Sequence, residues 1–324
     1  MMKKTLLLIA LASSSISIAS TSNIYDLMYL PEKGTFSGES SFGFTSSKFS
    51  LDYLGNSLYE TTVKDISLDQ TFMYTLSSNT MIGLSEEYQL DSKTEQAYGP
   101  GSNQNGTTVK GKGASGFSEP TIFLKQRILE QESQGANLDL QASFSPKMGD
   151  AEGSSTTKGG NNLRGGSQFE AQVEVGKKNS ETQWKFQANY LLQGNAKSKS
   201  ASNAADLTQT DSYSIFGGGF THQWKLAPSF ELNLLAGVAF IGEQNLSNAN
   251  DQTKDVIDSA TLFTFGPSFV FNLSEKAMID FSATYAVADD SVLRETDTTD
   301  NSVITIMKND NTAWHLSVLA RYEF

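Results

Sequence analysis

Eleven consecutive residues at the end of the chain, Trp314 to Phe324, alternate without a break. Trp314, Leu316, Val318, Ala320, Tyr322 and Phe324 fall at one parity, and His315, Ser317, Leu319, Arg321 and Glu323 at the other. Side chains of a strand point to opposite faces with period two, so this segment is a strand with one oily face and one wetter face. Such a strand needs a sheet that separates apolar surroundings from water.

A terminal Phe324 with Tyr322 two residues before it, closing a run of alternating residues, resembles the final-strand signature of bacterial outer-membrane β-barrels. The resemblance implies an outer-membrane location, surrounding lipid and lipopolysaccharide, and a barrel assembly machinery that reads Tyr322 and Phe324. The start of the chain agrees with export. Lys3 and Lys4, the apolar run Leu6 to Ala12 and the small-apolar-small Ser17-Ile18-Ala19 lay out a secretory signal peptide over residues 1–19. That run is far shorter than the about 18 residues a spanning helix needs.

After residue 19 no stretch is apolar enough for a transmembrane helix, so membrane embedding has to come from alternating strands. The net charge of −12 argues against nucleic acid as a partner, because phosphate binding needs clustered Lys and Arg. With no cysteine in the chain, neither disulfides nor a thiolate nucleophile can be proposed.

Alternation predicts an all-β fold, a transmembrane antiparallel β-barrel of about 12 strands over residues 34–324, with both termini periplasmic. The upward strands are expected near 35–45, 80–90, 138–147, 182–193, 229–241 and 278–288. The downward ones are expected near 59–76, 117–128, 167–176, 211–225, 259–272 and 311–324. Tight turns at 77–79, 177–180, 227–228 and 274–275 fall at one end. Long segments rich in Gly, Ser, Asn and Thr (91–116, 147–166, 194–210, 242–258 and 289–310) fall at the other. A soluble sandwich has no reason to sort its loops by length, whereas an outer-membrane barrel does.

Aromatic residues collect at the two predicted rims, where rings meet lipid headgroups. Tyr74, Trp184, Trp224, Phe230, Phe271, Tyr322 and Phe324 are expected at the periplasmic rim, all pointing outward. Tyr88, Phe144, Tyr190, Phe240, Tyr285 and Trp314 are expected at the outer rim. Three places strain the pattern. Pro267 sits inside a strand and predicts a bulge or kink. Phe117 and Phe123 fall at the inward parity, opposite Ile122, Leu124 and Ile128. Gly217-Gly218-Gly219 marks a bend or a place where neighbours need room. Residues 20–33 form a periplasmic N-terminal segment in which Ile24, Leu27, Met28 and Leu30 have helical spacing before Pro31. The segment reads either as a short plug or as a stretch that lies against the rim or is disordered.

Once the lipid face is assigned, the inward face follows. It is rich in Gln, Asn and Ser, which suits a wet lumen. Its candidate selectivity residues form two sets. Asp65, Glu87, Glu119 and Glu170 lie toward the outer end without a basic partner in the pattern, as a negative mouth that would concentrate cations. Lys125, Arg127, Lys185 and Arg321 lie toward the periplasm with Asp139, Glu174, Glu231, Asp280 and Glu323, as cross-strand ion pairs. Strands about 4.8 Å apart and tilted about 40° give a wall roughly 24 Å across, which leaves at most roughly 10 Å between side chains. Small solutes alone fit such a passage.

Catalysis and cofactors find little support. His222 and His315 are the two histidines; His315 and Ser317 share the inward face, away from lipid. Two distant histidines without cysteine offer no transition-metal site. Asp289-Asp290 and Glu295 to Asp300 read as solvated acidic loops in preference to calcium holders.

Gly266-Pro267-Ser268-Phe269, Asn272-Leu273-Ser274 and the strand from Ala277 resemble a pattern of the transporters tied to meta-pathway phenol degradation. Glu119-Pro120 leading to Ile128, then Leu138 to Ser145-Pro146, is similar to the middle of the same family, although Pro146-Lys147-Met148-Gly149 departs from its Pro-Thr-Gly. The resemblance implies uptake of small compounds. Taken together, the expected function is a non-enzymatic channel or transporter for passive uptake of a small-molecule solute, favouring cations. The alternative is a structural or adhesin-like barrel with a plugged lumen.

Overall fold

The structure, a computed structural model, describes residues 27–152, 159–200, 203–248, 253–289, 291–297 and 303–324. The expected signal peptide, Ile24, Asp290 and residues 298–300 of the acidic loop lie outside them. Twelve strands, numbered here in chain order, build the barrel wall. They are β1 (Phe36–Tyr53), β2 (Asn56–Ser77), β3 (Thr80–Tyr98), β4 (Thr121–Leu129), β5 (Asn137–Ser145) and β6 (Gln168–Lys178). The others are β7 (Thr182–Gln193), β8 (Tyr213–Ala227), β9 (Phe230–Ile241), β10 (Ala260–Ser274), β11 (Ala277–Ala288) and β12 (Val303–Glu323). Each pairs antiparallel with the next, and β12 pairs with β1 from Ser37↔Glu323 to Asp52↔Lys308. Closure leaves no free edge, which satisfies every ladder inside a bilayer.

The outward face is the lipid face. Phe42, Phe72, Phe144, Phe186, Phe216, Phe240, Phe263 and Trp314 are all exposed, whereas in a soluble barrel they would be core. Aromatic contacts run along both rims, as in Phe36–Tyr74, Trp184–Phe186 and Tyr285–Trp314. His222 lies outward between Phe220 and Trp224, its ring 4.2 Å from the indole. The final strand ends with Tyr322 and Phe324 in edge contact on the outward face, and the Phe324 N–H donates to the Phe36 carbonyl.

Pro267 is accommodated without a bulge. The β10–β11 register reads Phe265↔Tyr285 and then Ser268↔Ser282, so only two rungs are skipped. Gly266 lets this happen, because a Cβ there would stand 2.0 Å from the Ala283 carbonyl oxygen. Phe117 corrects the sequence pattern: it is 58% exposed and faces outward against Tyr88, whereas Phe123 points inward over Gly83. The Ser118-Glu119-Pro120 break between the two segments changes the parity.

The long outer segments are not irregular loops. Asn203–Thr210 pairs with Gln244–Asn248, Thr253–Ile257 with Ser291–Asp297, and Ser291–Asp297 with the outer half of β12. β1 and β2 run on to a two-residue turn at Leu54-Gly55, both at positive φ, which suits the twist of a tight hairpin. Two parallel pairings, Ala114↔Gly160 and Ser198↔Ala151, join the connection after β5 to this rim. The wall therefore continues beyond the lipid belt.

Charged staples hold the rim. Asp150 sits between Lys147 at 2.9 Å and Lys199 at 3.1 Å, whose hydrogen bonds hold its carboxyl below the usual Asp range. A depressed folded value means the contribution is present above the ordinary Asp value of about 3.9 and is lost as pH falls through the folded value. Protection of the amides in 147–152 and 196–199, taken relative to their intrinsic exchange at each pH, should therefore hold down to about pH 4 and fall below it. Asp150→Asn should give the faster exchange at neutral pH as well. Parent and variant exchanging alike at pH 7 would show that the staple is idle.

Candidate permeation path

The periplasmic end of the lumen is floored by buried charges. Lys125 on β4 donates to Glu174 at 2.6 Å and lies 3.2 Å from Asp139. Lys185 on β7 donates to the other oxygen of Glu174 at 2.8 Å, and Gln172 adds a bond at 3.0 Å. Arg127 grips Asp139 with two nitrogens at 2.8 and 3.0 Å. Alternation places these residues inward on neighbouring strands, and Lys185 and Asp139 have 1% and 0% of their surface exposed. Arg321 on β12 pairs with Glu39 on β1. Asp280 accepts from Ser268, and Glu231 accepts from Asn272 at 3.3 Å.

Residues 27–29 lie across this floor. The Leu27 N–H donates to Gln183 on β7 at 2.8 Å, and the Met28 carbonyl accepts from Arg127. Met28 packs on Gly176 of β6, where a Cβ would come within 2.4 Å of its sulfur. Tyr29 reaches the opposite wall: it donates to Glu323, lies under the Arg321 guanidinium at 5.2 Å, and packs on Val270, Met278 and Leu319. Three residues thus bridge β6 and β7 to β10, β11 and β12. Beside them, a recess of about 200 Å³ lined by Gln183, Gln223, Glu231 and Asn272 remains on the β7–β10 side.

Toward the outer end, Asp65 and Glu87 face inward together with Asp69, which the sequence pattern passed over although it shares their parity. Asp69 stands directly opposite Glu87 in the β2–β3 register. Glu170 accepts from Asn189 at 3.0 Å. These carboxylates are not without a basic neighbour. The connection after β5 folds inward and brings Arg164 into electrostatic contact with Glu87 and a 2.7 Å bond to Gln168. Glu119 makes that fold possible. Its buried carboxylate accepts the Arg164 N–H at 2.9 and 3.0 Å and the Gly165 N–H at 3.3 Å, so it clamps the loop instead of lining an open mouth. A lone Arg before two glycines in a polar stretch is the one sequence signal for this loop.

The outermost lumen is apolar. Leu191, Tyr213, Ile215, Ala239, Leu262 and Ala286 form one buried group, and Phe49, Leu51, Tyr59, Val63, Tyr98, Leu246, Ile257 and Leu293 another within the rim. Adjacent apolar pairs such as Leu191-Leu192, Ile215-Phe216 and Leu262-Phe263 mark the change, since both faces become apolar there. His315 and Ser317 do not form a dyad. His315 bonds Thr45 at 2.9 Å, and Ser317 bonds Ser282 at 2.6 Å.

No protein-family model matches the chain and no curated protein matches its sequence. The structure is similar to an outer-membrane channel from Pseudomonas putida F1, with a TM-score of 0.51 and 12% identity over 91% of this chain and 97% of that one. It is also similar to the transport unit of the autotransporter AIDA-I from Escherichia coli, with a TM-score of 0.55 and 8% identity over 99% and 98%. At such identities the likeness is one of fold, and the fold is that of an outer-membrane β-barrel.

Proposed function

We propose that the protein is a non-enzymatic outer-membrane channel for passive uptake of small solutes, favouring cations and closed at rest. The observation that carries this reading is the bridging of the lumen by residues 27–29. Each contact is made by a short segment joined to the wall at Gly34, whose N–H donates to the Thr75 carbonyl. A barrel meant only as a solid body has its floor filled by its own ion pairs and needs no such segment. The likeness in fold to the P. putida channel supports conduction as a use of this architecture. The resemblance of Gly266-Pro267-Ser268-Phe269 and its neighbours to a pattern of the phenol-degradation transporters supports a small solute as cargo.

Selectivity is assigned to Asp65, Asp69, Glu87 and Glu170 acting against Arg164. Four inward carboxylates, of which Glu87 faces the Arg164 guanidinium, leave a negative field, which concentrates cations in a narrow low-dielectric passage. Under a salt gradient, the reversal potential of open events should show cation preference. Glu87→Gln should reduce it and Arg164→Gln should increase it. Anion preference, or indifference to both changes, would refute this assignment.

The second reading, a structural barrel with a plugged lumen, is favoured by the apolar group within the rim, which packs like a small core. A barrel that stays silent after the segment is removed would support it.

A further inference from the structure

One row of the lipid face does not belong to lipid. Ser40, Gln70 and Glu86 are successive register partners on β1, β2 and β3, all at the outward parity. At the outward parity Ser40 lies between Gly38 and Phe42, Gln70 between Leu68 and Phe72, and Glu86 between Leu84 and the rim residue Tyr88, so the row lies inside the aromatic rims. Phe42 lies above Ser40, Leu68 and Phe72 lie either side of Gln70, and Leu84 lies below Glu86. The Ser40 hydroxyl donates to the Gln70 amide oxygen at 3.0 Å, and Glu86 is exposed with no hydrogen bond or ion pair to it among the described residues. On β4 to β12, outward residues between the aromatic rims are apolar, apart from His222 in the periplasmic rim and Gln126, which pairs with the first residue of β3.

A carboxylate facing hydrocarbon is costly, and polar side chains within the lipid belt of membrane proteins pair with other protein groups. We propose that the β1–β3 face is an interface with a second copy of this chain. The row is self-complementary. With its oxygen taken by Ser40, the Gln70 amide still offers its N–H groups, while Glu86 offers only acceptors. A two-fold axis along the membrane normal that brings β2 against β2 places each Gln70 amide beside the Glu86 of the other copy. Such an isologous contact closes as a dimer. The lipid-facing phenylalanines and leucines around the row supply its apolar surround.

The absence of cysteine makes the test direct. Leu68→Cys leaves the row intact and puts a single thiol beside Gln70; Leu234→Cys puts one on β9, across the barrel. The full mature chain carrying either change is reconstituted in lipid, checked for a folded barrel by its resistance to detergent without heating, and oxidised. A disulfide-linked dimer should form at position 68 and not at 234, and adding Glu86→Lys should abolish it. Equal linking at both positions, no linking at 68, or linking that persists with Glu86→Lys would overturn the proposal.

Discussion

Removing residues 20–33 should convert a channel that is shut most of the time into one that is open most of the time. The magnitudes explain why so short a segment suffices and why it can let go. Burying Leu27 and Met28 contributes about 1.5–3 kcal/mol each. Ordering the three bridging residues costs about 1–2 kcal/mol apiece, so these two terms nearly cancel. The balance is held by the hydrogen bonds to Gln183, Arg127 and Glu323, each with a net worth of about 0.5–1.5 kcal/mol or more where a charge is involved. A closed state favoured by a few kcal/mol opens briefly and rarely, whereas the deleted chain lacks the contacts that bridge the floor. The wall should survive, because Arg127 keeps both bonds to Asp139 after Met28 is gone. Uptake of small sugars into liposomes carrying the deleted chain should therefore rise well above the parent rate. Leu27→Ser, Met28→Ser and Tyr29→Ser together should do nearly the same. Parent-like uptake from both variants would show that the segment is not what closes the lumen.

Glu174→Leu should be the most destabilising single change in the barrel. Glu174 is shared by Lys125 and Lys185, at 2.6 and 2.8 Å, and all three groups are buried. Removing the shared carboxylate leaves two ammonium groups facing each other with Asp139 as the remaining counter-charge, already held by Arg127. Stranding buried charges in this way costs about 3–5 kcal/mol. Lys185→Met should cost much less, because Glu174 keeps Lys125. Urea unfolding of the vesicle-embedded barrel, followed by tryptophan fluorescence, measures both. Equal midpoints for the two variants would mean that the floor is solvated and the shared geometry carries no weight.

Most of the wall was legible because a barrel repeats one rule twelve times. Period-two alternation with a lipid-facing stripe places the strands and the outward aromatics, and the turns after Ser77 and Ser274 only punctuate it. What escaped is set by contacts between segments distant in sequence. Glu119 reads as a mouth charge from its parity, yet the connection after β5 returns to bury it under the Arg164 and Gly165 N–H groups. Phe117 reads as inward because the parity change at Ser118 to Pro120 leaves no mark in the alternation. The outer segments read as loops because their Gly, Ser and Thr content is that of loops. Pairing partners such as Thr210↔Leu246 convert them into wall. The floor charges were visible one by one, but that Lys125 and Lys185 share Glu174 depends on side-chain reach and not on spacing.

The measurement that bears most directly on the account is single-channel recording of the refolded chain with and without residues 20–33, side by side in planar bilayers. The account predicts rare, brief openings for the whole mature chain and long-lived steps of the same unit conductance for the deleted one. A deleted chain that inserts, resists heat-free detergent like its parent and still conducts nothing would contradict it.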